Sequence, residues 1–289
     1  MNLDQVYDEL YGAIDENLRS DTTLAGRVGT LETKMTAAEG YISDLEALVP
    51  EVPGRQLKLV DLGTEYTEEL QEDISTGTFE KALVGGYLTI NSHVYLFAHA
   101  DYFLNTGDTA CEDHHMVVIP QNVLVFGQMN LTATAAGGYA GSDMRIGHED
   151  TTDPQDPVHV DGALQAIIDI IETDFGSSNI LVHRENFTNG ITGNAASGSA
   201  YMDSYIEILS ENMAYGRNIT GSGILYETGV AVGQLQLFAQ RPDLLSLRHG
   251  YWLRDVASST SFGVFTDYSR PYTSAANTSY GIRPYFCLK

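Results

Sequence analysis

The feature that most constrains this chain is a seven-residue repeat of apolar side chains in its first fifty positions. The spacing alternates between four and three residues, which is the pattern of a helix that packs along one seam against another helix. The a positions of this register are Tyr7, Ile14, Val28, Met35, Ile42 and Val49, and the d positions are Leu3, Leu10, Leu24, Leu31, Ala38 and Leu45. The repeat predicts a coiled-coil stalk over residues 1–49.

Charged side chains beside the seam favour a parallel arrangement of separate chains. Arg27 and Lys34 fall at g positions and face Glu32 and Glu39 at e positions of the next heptad. We therefore expect a homo-oligomer, although the seam residues do not decide between a dimer and a trimer. The alternative is a pair of amphipathic helices that break at residues 20–22 and fold back onto the chain's own domain.

Two prolines and a glycine in residues 50–54 end the helical pattern. Residues 50–56 are expected to form a linker, and residues 57–289 a single globular domain. Apolar stripes in that domain predict one helix from Asp161 to Gly176 and another from Asp203 to Gly216. The expected strands are Tyr87–Ile90, Val94–Ala98, Met116–Ile119, Tyr251–Arg254 and Gly281–Phe286. Isolated helices among short strands, with an irregular segment near the end, predict the α+β fold class.

The charge balance excludes several classes of partner. The chain has 39 Asp and Glu against 15 Lys and Arg, a formal charge of −24. Nucleic acids and anionic membrane surfaces are bound by clustered cations, so neither is an expected partner. Because no signal peptide or membrane-spanning stretch is recognisable, we expect synthesis in the cytoplasm and no membrane insertion. Cys111 and Cys287 are expected to be free thiols, with Cys287 a core residue of the last strand.

No catalytic motif stands out in the sequence. The run Cys111–His115 contains metal-binding residue types, but neighbouring residues of an extended strand point to opposite faces, which favours a turn leading into a strand. Asp101, Asn105 and Asp108 offer oxygen ligands without the glycine and terminal glutamate of an EF-hand loop. We therefore expect no enzyme, no metal and no other cofactor.

The segment from Ala257 to Tyr280 has the composition of an adaptable binding loop. It combines aromatic residues with Ser, Thr, Ala, Gly and Asn, and it lacks Lys, Glu, Gln, Met and Leu. An ordinary solvated loop with a few core aromatics has the same composition, so both interpretations stay open. The candidate ligand-binding residues are Phe262, Phe265, Tyr268, Arg270, Tyr272 and Asn277.

Two motifs near the C-terminus resemble a family of phage-encoded proteins from viruses of gut Firmicutes, whose last domain ends in a WLR…GVRPxF pattern. The matching residues are Tyr251–Asp255 and Gly281–Phe286, with further matches at Asn105–Thr109, His114-His115 and Gly137–Arg145. The pattern is also similar to C-type lectin-like folds, which include phage fibre proteins varied by diversity-generating retroelements and the formylglycine-generating enzymes. The reactive cysteine pair of those enzymes is not matched, since Cys111 and Cys287 are far apart in sequence.

The resemblance implies a C-type lectin-like domain at the end of a virion fibre, with a trimeric stalk. We accordingly expect a bacteriophage virion protein, a fibre or spike component that attaches to other virion proteins through its N-terminus. Its domain of residues 57–289 is expected to bind a glycan or protein of the host-cell surface. The alternative is a head-fibre, capsid or tail decoration protein with no receptor-binding role.

Overall fold

The structure is a computed structural model of the chain. It describes residues 33–35, 57–153, 158–193, 195–221 and 233–289. The chain divides into two units between Arg55 and Gln56, and all the described strands lie in the second unit.

The strands of the described residues are β1 (Val60–Asp61), β2 (Gly86–Ile90), β3 (His93–Ala100), β4 (Met116–Pro120), β5 (Val125–Gly127), β6 (His148–Asp150), β7 (Val158–Val160), β8 (His183–Thr192), β9 (Ala195–Ser204), β10 (Ile206–Ile208), β11 (Tyr251–Ser258), β12 (Ser261–Phe265), β13 (Pro271–Ala275), β14 (Tyr280–Ile282) and β15 (Pro284–Leu288). The α-helices are α1 (Glu68–Ser75), α2 (Asp143–Ile146), α3 (Ala163–Phe175), α4 (Glu211–Tyr215) and α5 (Gln236–Gln240), with 3₁₀ turns at Ser177–Asn179 and Pro242–Leu245. Residues 33–35 are also helical. None of the helices in the described ranges is long and apolar enough to cross a membrane.

The described strands form two larger sheets and two ribbons. The first sheet has the strand order β1-β2-β3-β4-β15-β10 and the second has the order β13-β12-β11-β14-β5. The ribbons are β6–β7 and β8–β9. Every residue of β4 and β15 is buried. The strands predicted at Tyr87, Val94 and Met116 are confirmed as parts of β2, β3 and β4, and the fully buried β4 has the continuous apolar sequence of a strand covered on both faces.

Two hydrophobic cores account for this double burial. The first contains the apolar stripe of α3 together with Trp252 from the second sheet. The second contains Phe238 of α5 together with Tyr251 and Leu253. Successive residues of β11 thus enter different cores, because side chains alternate between the two faces of a strand.

The helix predicted from Asp161 to Gly176 is confirmed as α3, with a shift of its first residues. Its N-cap is Gly162 rather than Asp161, and a side chain at Gly162 would collide with the backbone of Met144. The helix ends at Gly176, which has a φ of +79°.

The helix predicted from Asp203 to Gly216 is wrong over most of its length. Ile206 and Ile208 lie in β10, where they pair with Phe286 and Pro284 of β15. Helix α4 begins only after Ser210, whose hydroxyl accepts a hydrogen bond from the Met213 amide at 3.2 Å. Pairing with a distant strand overrides the local helical spacing of these apolar residues.

The predicted fold class, α+β with a parallel coiled-coil stalk and a C-type lectin-like domain, is also wrong for the part of the chain that the structure describes. Strands predominate there, and its helices are short, the 13 residues of α3 being the most. The segment predicted to be irregular, Ala257 to Tyr280, contains β12 and β13. The predicted stalk of residues 1–49 lies outside the described residues, apart from residues 33–35.

One buried carboxylate connects both sheets to a ribbon. Glu185 of β8 accepts hydrogen bonds from the Arg254 guanidinium of β11 and from the Tyr285 hydroxyl of β15. The Arg254 Nη1 atom also donates to the Tyr285 hydroxyl at 3.0 Å. Burial opposes ionisation of Glu185, but the charge of Arg254 and the adjacent His183 hold the pKa of its carboxyl well below its usual range.

A second buried carboxylate extends this network. Tyr139 donates to Glu207 of β10 at 2.6 Å, and the Arg145 Nε atom donates to it at 3.0 Å. The Cζ atoms of Arg145 and Arg254 each lie 5.0 Å from the ring centroid of Phe187 in β8, a cation–π distance. The two carboxylates therefore belong to one polar network built around the β8–β9 ribbon.

The C-terminal motif residues form hydrogen bonds inside the domain. The Trp252 indole donates to the carbonyl oxygen of Gly127 at 2.9 Å. Arg283, which is fully buried, donates to the carbonyl oxygens of Pro120 and Leu244, each at 2.9 Å. Because these side chains bond within the fold, the motif specifies the architecture of the domain rather than a ligand.

A further pair of acidic residues, Glu211 and Asp255, holds the segment after α4 through hydrogen bonds. The Glu211 carboxylate accepts hydrogen bonds from the amides of Ile219, Thr220 and Gly221 at 2.7 to 3.0 Å. Asp255 in turn accepts a bond from the Glu211 amide at 2.6 Å. Burial and the charge of Glu211 raise the pKa of the Asp255 carboxyl to about 7.

We predict that Glu185→Gln lowers the free energy of unfolding by about 3–5 kcal/mol, because it leaves the buried Arg254 charge without a counterion. The matched control is Glu69→Gln, which breaks the exposed Glu69–Lys81 pair and should cost at most about 1 kcal/mol. Urea unfolding followed by fluorescence of the single tryptophan, Trp252, measures both. Equal losses in the two variants would contradict the role given to Glu185.

We predict that Asp255 makes the fold less stable as the pH rises from 5 to 7. Between an unfolded pKa of about 3.9 and the folded value of about 7, the folded chain holds a proton that the unfolded chain has released. The free energy of unfolding therefore falls across this window, by roughly 1.4 kcal/mol per pH unit from this group, and levels off above pH 7.

Asp255→Asn should remove this fall, so the variant gains stability relative to the wild type between pH 5 and pH 8. Urea unfolding at both pH values measures the gain. Asp267→Asn, a change at an exposed carboxylate, serves as the control and should leave the pH dependence as it is. A gap between wild type and Asp255→Asn that stays constant with pH is the contrary result.

Candidate binding site

The hairpin between β12 and β13 is the structural basis of the candidate site. Its turn is closed by the Thr266 amide and hydroxyl, which both donate to the Arg270 carbonyl oxygen, at 3.0 and 3.1 Å. The Ser269 amide donates to the Thr266 carbonyl oxygen at 3.0 Å, with Ser269 at a φ of +59°. These bonds give the turn a defined conformation, and side chains on it have a fixed base.

Three of the six predicted binding residues lie together on this hairpin. Tyr268 is 78% exposed at the tip of the turn, and Tyr272 is 54% exposed on β13, an edge strand. Arg270 lies between them in sequence and is exposed, with its guanidinium 5.8 Å from the centroid of the Tyr272 ring. Two aromatic rings and a cation are thus available to a ligand at one place.

Phe262 and Phe265, which were also predicted to bind a ligand, do not belong to this exposed surface because both are buried. Phe262 is fully buried in the first core. Phe265 is 3% exposed and stacks on Tyr251 at 5.4 Å and on Tyr215 at 6.0 Å. Strand β12 lies between two covered faces, so aromatic residues at even and odd positions alike are hidden from a ligand.

Asn277 is exposed but lies away from the turn. It follows the far end of β13, whose four residue steps from Pro271 to Ala275 span roughly 13 Å. Its carbonyl oxygen accepts a hydrogen bond from the Gln128 amide at 2.6 Å. The structure therefore groups Tyr268, Arg270 and Tyr272 without Asn277.

The sequence analysis missed Phe126 and His249, two exposed residues at the same end of the second sheet. Strand pairing places Pro271, Phe265, Tyr251, Gly281 and Phe126 in one row across all five strands. Phe126, at the far end of this row, is 55% exposed and its ring contacts His249 edge-on at 5.3 Å. Four strand spacings separate it from β13, about 19 Å. No local pattern marked Phe126, because it is far from the hairpin along the chain.

The run Cys111–His115 has an internal structural role. His114 Nδ1 lies 2.7 Å from an Asp101 carboxylate oxygen, and the buried His115 accepts a bond from the Phe103 amide at 3.0 Å. Burial lowers the pKa of His115 to about 4, which keeps its ring neutral and able to accept that bond. Within the described ranges no group of three or more His, Cys, Asp or Glu residues is arranged to hold a metal ion.

The two cysteines are both buried. Burial raises the pKa of the Cys111 thiol and raises that of Cys287, in β15, still further. Since the thiolate is the reactive form, these side chains act as small core residues rather than nucleophiles.

Asp255 is the group whose pKa best suits proton transfer at neutral pH, and perturbed carboxyls are candidates for catalysis. Its hydrogen bond goes to the Glu211 amide, and Glu211 in turn is bonded to three backbone amides of the segment after α4. These hydrogen bonds to the backbone account for the positions of Asp255 and Glu211. The raised pKa of Asp255 therefore does not by itself indicate a reaction.

The hairpin surface, where Tyr268, Arg270 and Tyr272 are exposed together, is thus the best-supported candidate site. Comparison with protein-family models, with curated proteins and with solved structures gave no match for this chain.

Proposed function

We propose that this chain is a bacteriophage virion protein, a fibre or spike component whose domain attaches to a host-cell surface. The observation that carries the proposal is the exposed group of Tyr268, Arg270 and Tyr272 on a hydrogen-bonded hairpin. Among the described residues, the exposed large aromatic side chains are these two tyrosines and Phe126. Exposed aromatic rings on a rigid base supply contact area at a low entropic cost, as in other binding surfaces.

The phage part of the proposal is supported by the C-terminal motifs. Trp252, Arg254 and Arg283 lie inside the domain, so the resemblance concerns the residues that build its interior. The hairpin residues Tyr268, Arg270 and Tyr272 are instead exposed. A buried framework with an exposed contact group suits a protein whose contact surface must follow changes in a host.

Attachment by several copies is part of the proposal. Two tyrosine rings and one arginine form a small contact, and such a contact is expected to be weak. A homo-oligomer, a trimer or a dimer, joined to other virion proteins through the N-terminus, makes later contacts intramolecular. This arrangement raises avidity by about 10² to 10⁴ without new interactions.

We predict that the double variant Tyr268→Ala/Tyr272→Ala binds bacterial cells at least about tenfold more weakly than the wild type, a loss of about 1.4 kcal/mol. The full chain, fluorescently labelled, is incubated with a panel of Gram-positive strains, and cell-bound fluorescence is measured. The control is Leu131→Ala/Val158→Ala, which removes exposed apolar side chains outside the hairpin and should bind normally.

Equal binding by wild type and the tyrosine variant would count against attachment through the hairpin. Phage particles labelled with an antibody to the chain provide the companion measurement. Labelled virions whose adsorption is unaffected by the tyrosine changes would indicate a decoration protein instead.

A further inference from the structure

Most arginines of the domain have a partner within the fold. Four form salt bridges and one donates to backbone carbonyls. The salt bridges are Arg145–Glu207, Arg184–Asp108, Arg241–Asp243 and Arg254–Glu185, and the carbonyl-bonded residue is Arg283. Arg270 differs from these five. Within the part of the chain that the structure describes, no carboxylate or carbonyl accepts a bond from its guanidinium, which lies 5.8 Å from the centroid of the Tyr272 ring.

The missing partner is informative because the chain is rich in carboxylates. With 39 Asp and Glu against 15 Lys and Arg, partners are in excess. Asp267 lies three residues away in the same turn and is exposed, yet within the described ranges no salt bridge joins it to Arg270. A guanidinium that remains free under these conditions is available to an external anion, and its planar donors fit a carboxylate or phosphate.

A second free guanidinium lies at the same end of the sheet. Arg248 is exposed in the loop that enters β11 at Tyr251, and Tyr251 pairs with Phe265 at the end of β12. Phe265 also pairs with Pro271, the neighbour of Arg270. Like Arg270, Arg248 has no carboxylate partner among the described residues. Positive charge and aromatic rings therefore recur along one end of the second sheet.

We infer that this surface takes an anionic saccharide, an inference that rests on the proposed function. Sugar rings stack on the exposed faces of Tyr268 and Tyr272, and a carboxylate or phosphate of the same polymer binds the Arg270 guanidinium. The tyrosines lie at a hairpin tip rather than in a cleft, which suits the flat face of a sugar better than a peptide anchor that needs an enclosing pocket.

The net charge of −24 opposes this binding only in part. At physiological ionic strength the Debye length is about 8 Å, so carboxylates elsewhere on the domain are largely screened at the hairpin. The charges closest to the bound saccharide lie within the turn itself, where Arg270 attracts the anionic group and Asp267 repels it. This opposition gives a pair of variants with opposite expected effects.

The test compares polygalacturonate with its methyl ester, which has the same sugar rings without the charge. We expect the full chain to bind the acid at least tenfold more tightly than the ester, with the preference lost in 0.5 M salt and in Arg270→Gln. Asp267→Asn should strengthen binding of the acid severalfold. The control Lys58→Gln removes an equal charge from an exposed residue before the first sheet and should change nothing.

Cell binding gives a second measurement that does not depend on the choice of sugar. We expect Arg270→Gln to bind cells about tenfold more weakly, and periodate oxidation of the cells to remove wild-type binding while protease treatment leaves it. The inference is overturned if Arg270→Gln binds cells normally, if the ester binds as tightly as the acid, or if protease rather than periodate abolishes binding. The proposed function still stands after any of these, and it fails only if Tyr268→Ala/Tyr272→Ala also binds cells normally.

Discussion

The architecture depends on the pairing of Glu185 with Arg254 and Tyr285. A carboxylate removed from water loses several kcal/mol of solvation unless charged and hydroxyl donors replace it. Here the donors come from two different sheets and the acceptor from a ribbon. Any arrangement that separates β8, β11 and β15 leaves a charge buried without a partner, so the bonds select one relative placement of these strands.

That placement determines where a binding surface is possible. Strand β12 is buried from Phe262 to Phe265, whereas the turn that follows it and the edge strand β13 reach solvent. The hairpin gains its rigidity from the same burial, since Phe265 stacks on Tyr251 directly beneath the turn. A fixed base lowers the entropy lost when Tyr268 and Tyr272 contact a ligand. The interior thus supplies the preorganisation on which a small contact depends.

The sequence predicted elements whose signals are local. Strands β3 and β4 contain unbroken apolar runs, and α3 has a stripe closed by a glycine. Strand β10 was missed because its partner, β15, lies some eighty residues further on, and no local pattern reports that pairing. The composition of residues 257–280 marked aromatic residues as candidates for contact, but it did not separate the exposed Tyr268 and Tyr272 from the buried phenylalanines. Such a separation requires knowing which faces of β12 are covered.

Arginine shows how one residue type takes two roles in an acidic chain. Inside the domain, Arg145 and Arg254 each compensate a carboxylate that is inaccessible to solvent cations, and both stabilise the ribbon through Phe187. At the surface, Arg270 shares its turn with Asp267, and among the described residues no salt bridge joins the two. The Thr266 hydrogen bonds define the turn that presents this guanidinium. Buried arginines of this chain thus compensate carboxylates of the fold, whereas Arg270 leaves its guanidinium at the surface.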